Sequence, residues 1–218
     1  GNAEEIIGKL IKAEDKFKVI SKITINQDDN EYELNMKFMK TINNLKIPKL
    51  YGLLVHNIHS ISYQKKEYIL TWLRKLKEKN LVEKVGFSIY EYEDICSMDI
   101  NKYELIQIPF SIYDQRFLEN GLISKFKKAG IEIYTRSIFL QGLILQNASK
   151  WPDYLSNEFK HHHDKFYKSL KENKFDIIRE VLFFQKSRKE LKGVLFGVTN
   201  SKELKEILEI WNSIDINF

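Results

Sequence analysis

The stretch Leu50-Tyr51-Gly52-Leu53-Leu54-Val55-His56 is an apolar run that ends in one polar side chain. It is too short for a stable helix and predicts a buried β-strand. Further along, Ile69, Trp72, Leu73 and Leu76 follow one another at the spacing i, i+3, i+4 and i+7. That period predicts an amphipathic helix packed on the strand. A strand followed by a helix is the unit that decides the fold, because the chain repeats it.

Six apolar runs of this kind are present, and each is read as a strand. They span residues 17–23, 50–56, 82–88, 103–109, 131–137 and 193–198. Helices are predicted over residues 118–128, stopped by Gly130, over 176–187, and over 204–211 with Leu204, Ile207, Leu208 and Trp211 on its apolar face. Alternating strands and helices predict a parallel sheet with right-handed crossovers.

A parallel sheet of this type is either an open doubly wound sheet or a closed barrel, and two features favour the barrel. No Gly-x-Gly-x-x-Gly follows an early strand. Polar residues instead fall at the carboxyl ends of several strands, where a barrel builds its active site, namely Lys22, His56, Ser88, Gln107 and Arg136. The sequence therefore predicts an α/β fold of the (β/α)8 TIM-barrel type.

The overall composition sets limits on the class of protein. A chain of 218 residues with 43% apolar and 30% charged residues predicts one globular domain over residues 1–218. Its 35 basic and 30 acidic residues alternate, which argues against a nucleic-acid partner. No apolar run is long enough for a membrane span, and the single cysteine suits a reducing compartment, so we expect a cytoplasmic protein.

Two smaller features are interpreted as structural. Cys96 is expected to be a small buried residue. The segment 151–175 has few apolar anchors and contains His161, His162 and His163, so it predicts an irregular, solvated excursion. Neighbouring histidines on a regular backbone point in different directions, and no metal site is predicted from them.

Segments in order along the chain resemble one family, the NAD(P)-dependent aldo-keto reductases. They are Leu53-Leu54-Val55-His56-Asn57, Lys84-Val85-Gly86-Phe87-Ser88, Ile106-Gln107-Ile108-Pro109-Phe110-Ser111 with Ile112-Tyr113-Asp114-Gln115-Arg116, Arg136-Ser137-Ile138-Phe139-Leu140-Gln141-Gly142-Leu143, and Gly197-Val198-Thr199-Asn200-Ser201. One such segment would be weak evidence for the family, but five segments in the same order are a specific indication of it.

The resemblance implies hydride transfer from a nicotinamide to a carbonyl carbon, with a tyrosine giving the proton. A free phenol has a pKa of about 10, so the family places a lysine, paired with an aspartate, beside the tyrosine and a histidine against the carbonyl oxygen. By motif position Lys22, in Val19-Ile20-Ser21-Lys22-Ile23, matches the lysine and His56 matches the histidine.

The family's tyrosine and aspartate have no match in this sequence. It opens with Gly1-Asn2-Ala3-Glu4-Glu5-Ile6-Ile7-Gly8, which resembles the family pattern that directly follows the tyrosine. The resemblance therefore implies about six of eight barrel strands in this chain, and we expect the first two strands and the two missing residues to lie upstream. An incomplete record, a short chain and completion by another chain are the three explanations.

For the cofactor, the resemblance implies NADP(H) or NAD(H). Ser88 and Gln107 match residues that hydrogen-bond the nicotinamide carboxamide, and Arg136 can either stack on the ring or hold a phosphate. The cofactor-binding positions carried over from the two later loops are Ser137, Leu140, Gly142, Gly197, Thr199, Asn200 and Glu203. Asn200 can cap a helix whose amides face an anion, and Glu203 can equally be its structural capping partner.

Three functions are compatible with these residues. The first is an oxidoreductase that reduces a small carbonyl compound to an alcohol with NAD(P)H. The second is a non-catalytic barrel that binds a nucleotide or a protein partner, because the tyrosine and aspartate are absent from this sequence. The third is a lyase or isomerase in which Lys22 forms a Schiff base, which would require a buried apolar pocket around it.

Overall fold

The computed structural model describes residues 2–11 and 17–216 of the chain. Their strands form one six-stranded sheet in the order β1-β2-β3-β4-β5-β6. The strands are β1 Ile20–Ile23, β2 Leu50–Val55, β3 Val82–Ser88, β4 Leu105–Pro109, β5 Glu132–Arg136 and β6 Leu191–Val194. The pairs from β1 to β4 are parallel, with Lys22 opposite Leu54 and Ser88 opposite Gln107. The sheet confirms the predicted parallel α/β class.

Helices alternate with these strands, as the repeated couplet predicts. They are α1 Ala3–Leu10, α2 Glu31–Leu45, α3 Tyr63–Glu78, α4 Arg116–Glu119, α5 Leu122–Lys128, α6 Asn157–Glu172, α7 Ile177–Lys186 and α8 Ser201–Ser213, with short 3-10 turns between them. The first strand, predicted over residues 17–23, is shorter and runs over Ile20–Ile23, and Gly1 of the opening segment lies outside the described residues.

The chain divides into two compact units, which we call the first and the second unit. The first unit comprises Gly1–Ile108 with Ser124–Ile133, and the second comprises Pro109–Ile123 with Tyr134–Phe218. That residues 1–218 behave as a single domain stays a prediction.

The core of the first unit is built on β2, which is buried along its whole length. Helix α3 packs there with the residues that its period predicts, since Ile69, Trp72, Leu73 and Leu76 are all buried. Strands β3 and β4 approach closely at Gly86, where an added Cβ would overlap the backbone of Leu105. The glycine is therefore required by the strand pairing itself.

The second unit has its own apolar core beneath α7 and α8. Its buried members are Ile138, Phe139, Ile144, Val181, Leu182, Ile207 and Ile214. Helix α7 begins at the capping residue Asp176, as predicted, because its carboxylate accepts a hydrogen bond from the backbone N–H of Ile178.

Two predicted element boundaries are wrong. The single helix over residues 118–128 is in fact α4 and α5, interrupted at Gly121, whose φ of +69° is left-handed. The last strand runs over Leu191–Val194 instead of 193–198, and an added Cβ at Gly193 within it would overlap the ring of Tyr134.

Three predicted exposures are also wrong. The segment 151–175 is not irregular but contains the sixteen-residue helix α6, capped by Ser156, and His163 is fully buried in it. Cys96 is exposed. On α8, Ile207 is buried as predicted, whereas Leu204 and Leu208 face outward.

Candidate active site

Lys22 and His56 lie at the same end of neighbouring strands. Lys22 is the third residue of β1, and His56 directly follows the last residue of β2. The backbone N–H of His56 donates to the carbonyl oxygen of Ile23 at 2.9 Å, so the two carboxyl ends are joined at this point. Both side chains are exposed. This is the position that a parallel strand pair gives to residues of a barrel active site.

Gln107 connects Lys22 to Ser88. The Nζ of Lys22 donates to Gln107 Oε1 at 3.4 Å, and the Oγ of Ser88 donates to the same oxygen at 3.1 Å. Ser88 and Gln107 are buried, whereas Lys22 is exposed. Because an ammonium group can only donate, the oxygen of the Gln107 amide must face it. Three of the predicted residues thus form one hydrogen-bonded cluster, which we call the Gln107 cluster.

The Gln107 cluster is built from adjacent strands. Ser88 ends β3 and stands opposite Gln107 of β4 in the parallel register. A primary amide keeps two N–H donors after its oxygen has accepted, so Gln107 can still donate to a ligand's oxygen. The cluster can therefore hold a cationic amine and present amide hydrogens at one end of the sheet.

Asn57 is a residue that the sequence reasoning missed. Its side-chain amide pairs with the backbone of Ile25, accepting from its N–H at 2.9 Å and donating to its carbonyl oxygen at 2.7 Å. This pairing joins the loop after β1 to the loop after β2, beside His56. An amide directly after a strand-ending histidine is the available sequence signal.

Gln185 of α7 was missed as well. It is buried, donates to the carbonyl oxygen of Phe110 at 2.9 Å and accepts from the hydroxyl of Thr135 at 2.9 Å. Within the second unit it therefore connects the chain after β4 to β5. Its signal is a glutamine among the apolar residues of a predicted helix.

A tyrosine, a lysine and a carboxylate also meet elsewhere in the first unit. Tyr51 donates to Glu132 at 2.7 Å, and Lys84 lies 2.6 Å from the same carboxylate. These residues stand near the amino ends of their strands, away from Lys22 and His56. Burial and the Glu132 carboxylate raise the pKa of Tyr51, so its phenol keeps its proton at neutral pH. We assign this cluster to stability.

The loop after β5 carries four of the predicted cofactor residues. Arg136 ends the strand, accepts from the N–H of Phe110 at 3.1 Å and donates to the hydroxyl of Ser137 at 3.3 Å. Ser137, Leu140 and Gly142 have left-handed φ angles of +63°, +49° and +87°. Left-handed φ angles are uncommon in residues other than glycine, and such residues are often found at functional sites.

The loop before α8 carries the remaining four. Asn200 caps α8 by accepting from the N–H of Glu203 at 3.0 Å, as predicted. The Glu203 carboxylate in turn accepts from the N–H and hydroxyl of Thr199, each at 2.8 Å. The backbone hydrogen bond from Thr199 holds the pKa of Glu203 below its ordinary value. Gly197 is exposed, with no atom near the position of a Cβ.

The predicted residues thus fall into two groups. Lys22, His56, Ser88 and Gln107 belong to the first unit, where three of them share hydrogen bonds. The residues of the loops after β5 and β6 belong to the second unit, where Thr199, Asn200 and Glu203 are bonded to one another.

Similarity to known proteins defines the class. Residues 1–217 match the family model of the aldo/keto reductase family, and the chain therefore belongs to that family of oxidoreductases. The fold of this family is TIM-barrel-like. No curated protein sequence matches the chain.

Three solved structures illustrate the likeness. The apo form of an aldo-keto reductase from Bacillus halodurans superposes with a TM-score of 0.81 at 13% identity, covering 98% of this chain and 72% of that chain. Its holo form gives a TM-score of 0.76 at 14% identity, covering 98% and 73%. A thermostable aldo-keto reductase in complex with the inhibitor epalrestat gives 0.76 at 18% identity, covering 100% and 74%. At these identities the likeness supports the fold alone.

The described residues contain neither a membrane-spanning helix nor a cluster of metal ligands. Within residues 2–11 and 17–216, no helix is long and apolar enough to cross a membrane. In the same ranges, no group of three His, Cys, Asp or Glu side chains could hold a metal ion.

Proposed function

We propose that this protein reduces a small carbonyl compound to an alcohol with NADP(H) or NAD(H). The observation that carries the proposal is the Gln107 cluster, with Lys22 held at the carboxyl end of the strands where His56 also lies. Such a rim of cationic and imidazole groups on parallel strands is where this fold performs chemistry.

The residues of the first unit fit a nicotinamide. Ser88 and Gln107 are buried polar side chains in otherwise apolar strands, which is an arrangement that a core would not need. An amide with free N–H donors beside a hydroxyl suits a planar carboxamide, which both donates and accepts. When bound, a nicotinamide nucleotide supplies the hydride.

Lys22 and His56 are proposed to act on the carbonyl oxygen. The ammonium of Lys22 lowers the energy of negative charge that develops on an oxygen nearby, or on a phenol that gives its proton there. The imidazole of His56 can donate a hydrogen bond to the same oxygen. Gln107 also positions Lys22, and Asn57 is a positioning residue because it holds the loop beside His56.

The second unit carries the other candidate nucleotide-binding residues. The end of β5 and the strained loop after it contain Arg136, Ser137, Leu140 and Gly142. Gly197, Thr199, Asn200 and Glu203 line the start of α8. The Glu203 carboxylate already accepts from the backbone N–H of Thr199 just before the helix, so Glu203 bears on whether NADP(H) or NAD(H) is preferred. A cytoplasmic location remains a prediction.

The test is a steady-state assay of NADPH and NADH oxidation with a small aldehyde. Lys22→Met and His56→Ala are each expected to lower kcat/KM at least about tenfold, because each removes a polar group from the reacting oxygen. The matched controls Lys128→Met and His161→Ala alter exposed residues of α5 and α6 and should leave the rate unchanged.

Unchanged rates in both Lys22→Met and His56→Ala would remove their catalytic roles. Nucleotide binding without turnover would favour a non-catalytic binding protein. If the protein does not oxidise NAD(P)H, and adding the protein does not change the fluorescence of NAD(P)H, the proposal as a whole is contradicted.

A further inference from the structure

The loop from Ser137 to Gln146 has an unusual backbone. Its residues Ser137, Leu140 and Gln141 have φ angles of +63°, +49° and +57°, and Gly142 has +87°. Residues other than glycine adopt this conformation only at a free-energy cost, and it persists where surrounding contacts hold the backbone in place. Something in the second unit must therefore hold this loop.

Two buried aromatic side chains hold it through its carbonyl oxygens. The indole N–H of Trp151 donates to the carbonyl oxygen of Leu143 at 2.8 Å, and Nε2 of His163 lies 2.7 Å from that of Gln146. The two rings stack on each other with centroids 4.4 Å apart. His163 is fully buried and Trp151 nearly so.

Tyr113 completes this arrangement, which we call the aromatic clamp. A carbonyl oxygen only accepts, so the proton of His163 must be on Nε2, and Nδ1 accepts from the hydroxyl of Tyr113 at 2.8 Å. Burial raises the pKa of Tyr113 to about 12, so this phenol keeps the proton that it donates. The clamp therefore ties the loop after β5 to the segment that follows β4.

We propose that the aromatic clamp of Tyr113, Trp151 and His163 fixes the loop from Ser137 to Gln146 in its nucleotide-binding conformation. This inference rests on the proposed function, since Ser137, Leu140 and Gly142 are its candidate nucleotide-binding residues. A loop ordered in advance binds more tightly, because less freedom is lost when the ligand arrives. The three aromatic residues are positioning residues and need not touch the nucleotide.

The hydrogen bonds distinguish this role from ordinary core packing. A core that only excluded water would be filled by apolar side chains, whereas a buried imidazole is costly unless both its nitrogens are paired. Here both nitrogens are paired, and one of the partners is a backbone carbonyl of the strained loop.

The first experiment measures amide hydrogen exchange of residues 139–146 in the full chain without nucleotide. Trp151→Phe keeps an aromatic ring but removes the N–H donor, and Tyr113→Phe removes the donor to His163. Both are expected to speed exchange in the loop at least about tenfold. The control is Phe159→Leu, because the Phe159 ring packs on Trp151 and Tyr113 but makes no hydrogen bond to the loop. This variant is expected to leave the exchange rates of the loop unchanged.

The second experiment titrates the same variants with NADPH and NADH by fluorescence. Trp151→Phe and Tyr113→Phe are expected to raise the nucleotide Kd at least about threefold, and Phe159→Leu to lower only Tm. Adding Gln141→Gly to Trp151→Phe should recover part of that affinity, because glycine adopts the left-handed conformation without strain.

The outcomes separate this inference from the proposed function. Unchanged loop exchange in both Trp151→Phe and Tyr113→Phe overturns the clamp whether or not nucleotide binds. Faster exchange with an unchanged Kd, in a wild-type protein that binds nucleotide, overturns the positioning role. A wild-type protein that binds neither NADPH nor NADH contradicts the proposed function and, with it, the ligand assigned to the loop.

Discussion

Gln107 accepts two hydrogen bonds with one buried oxygen, and its neighbours differ in how they would tolerate its loss. Lys22 is exposed and can turn to water, whereas Ser88 is buried and cannot. We expect Gln107→Leu to lower the free energy of unfolding by about 1–3 kcal/mol, because the Ser88 hydroxyl loses its acceptor. Urea denaturation measures this change.

Ser88→Ala is the matched control for Gln107→Leu. It removes the buried donor but leaves Gln107 Oε1 with its bond from Lys22, so a smaller loss of about 1 kcal/mol is expected. Equal losses in the two variants would contradict the account of the Gln107 cluster.

The Glu203 carboxylate accepts from the backbone N–H and the hydroxyl of Thr199, just before helix α8. Its pKa is lowered chiefly by the backbone hydrogen bond from Thr199. A lowered folded-state pKa gives stability that is present above the unfolded value of 4.5 and is lost as the pH falls through the folded value. We expect the Tm difference between wild type and Glu203→Gln to shrink below pH 4.5.

The same variant tests the choice of nucleotide. A carboxylate repels an additional phosphate and competes for the donors of Thr199, so Glu203→Gln should lower the Kd for NADPH relative to that for NADH. Paired fluorescence titrations measure the ratio. A Tm difference that does not depend on pH would count against the carboxylate as a charged cap, and an unchanged Kd ratio would exclude it as a selector.

At the scale of elements, the pairing of β3 with β4 depends on Gly86. An added Cβ would overlap the carbonyl oxygen of Leu105, which is backbone and cannot move without disturbing the strands. We expect Gly86→Ala to cost about 3 kcal/mol or more, or to prevent folding. Thermal and urea denaturation compared with wild type provide the measurement.

Gly197→Ala is the appropriate comparison for Gly86→Ala. Nothing lies within 4 Å of a Cβ at Gly197 and its φ is not left-handed, so its stability should change by no more than about 0.5 kcal/mol. Similar losses in both variants would mean that conformational entropy, and not steric overlap, determines the need for glycine in β3.

Helices were predicted well where apolar side chains mark the buried face and poorly where polar ones do. In α3 the period of Ile69, Trp72 and Leu73 identified the helix and its core contacts. In α6 the buried or partly buried positions Phe159, His163, Phe166 and Leu170 also follow a helical period, but one of them is a histidine. Its burial depends on partners from distant segments, which a local pattern does not contain.

At the scale of the whole molecule, the two compact units can unfold either together in one transition or separately. The variant Trp72→Phe removes the only tryptophan of the first unit, so its fluorescence reports on Trp151 and Trp211 of the second unit alone. Far-ultraviolet circular dichroism of the same variant reports on both units. We expect the two urea transitions to coincide, as a single domain over residues 1–218 requires.

A fluorescence midpoint clearly separated from the circular dichroism midpoint would contradict the single domain. Comparison with Trp151→Phe/Trp211→Phe, whose fluorescence reports on Trp72 in the first unit, would then show which unit is the less stable.

The sequence by itself determined the parallel α/β class, the place of the first five strands and the position of Lys22 and His56 at the carboxyl ends of their strands. These follow from local properties, because strand length, helical period and a polar residue at a strand end are encoded in adjacent residues. Only the tertiary structure decided that Lys22 and Ser88 share the oxygen of Gln107, and that Tyr113, His163 and Trp151 act on one strained loop. Those contacts join residues many positions apart, so their energies exist only after the chain has folded.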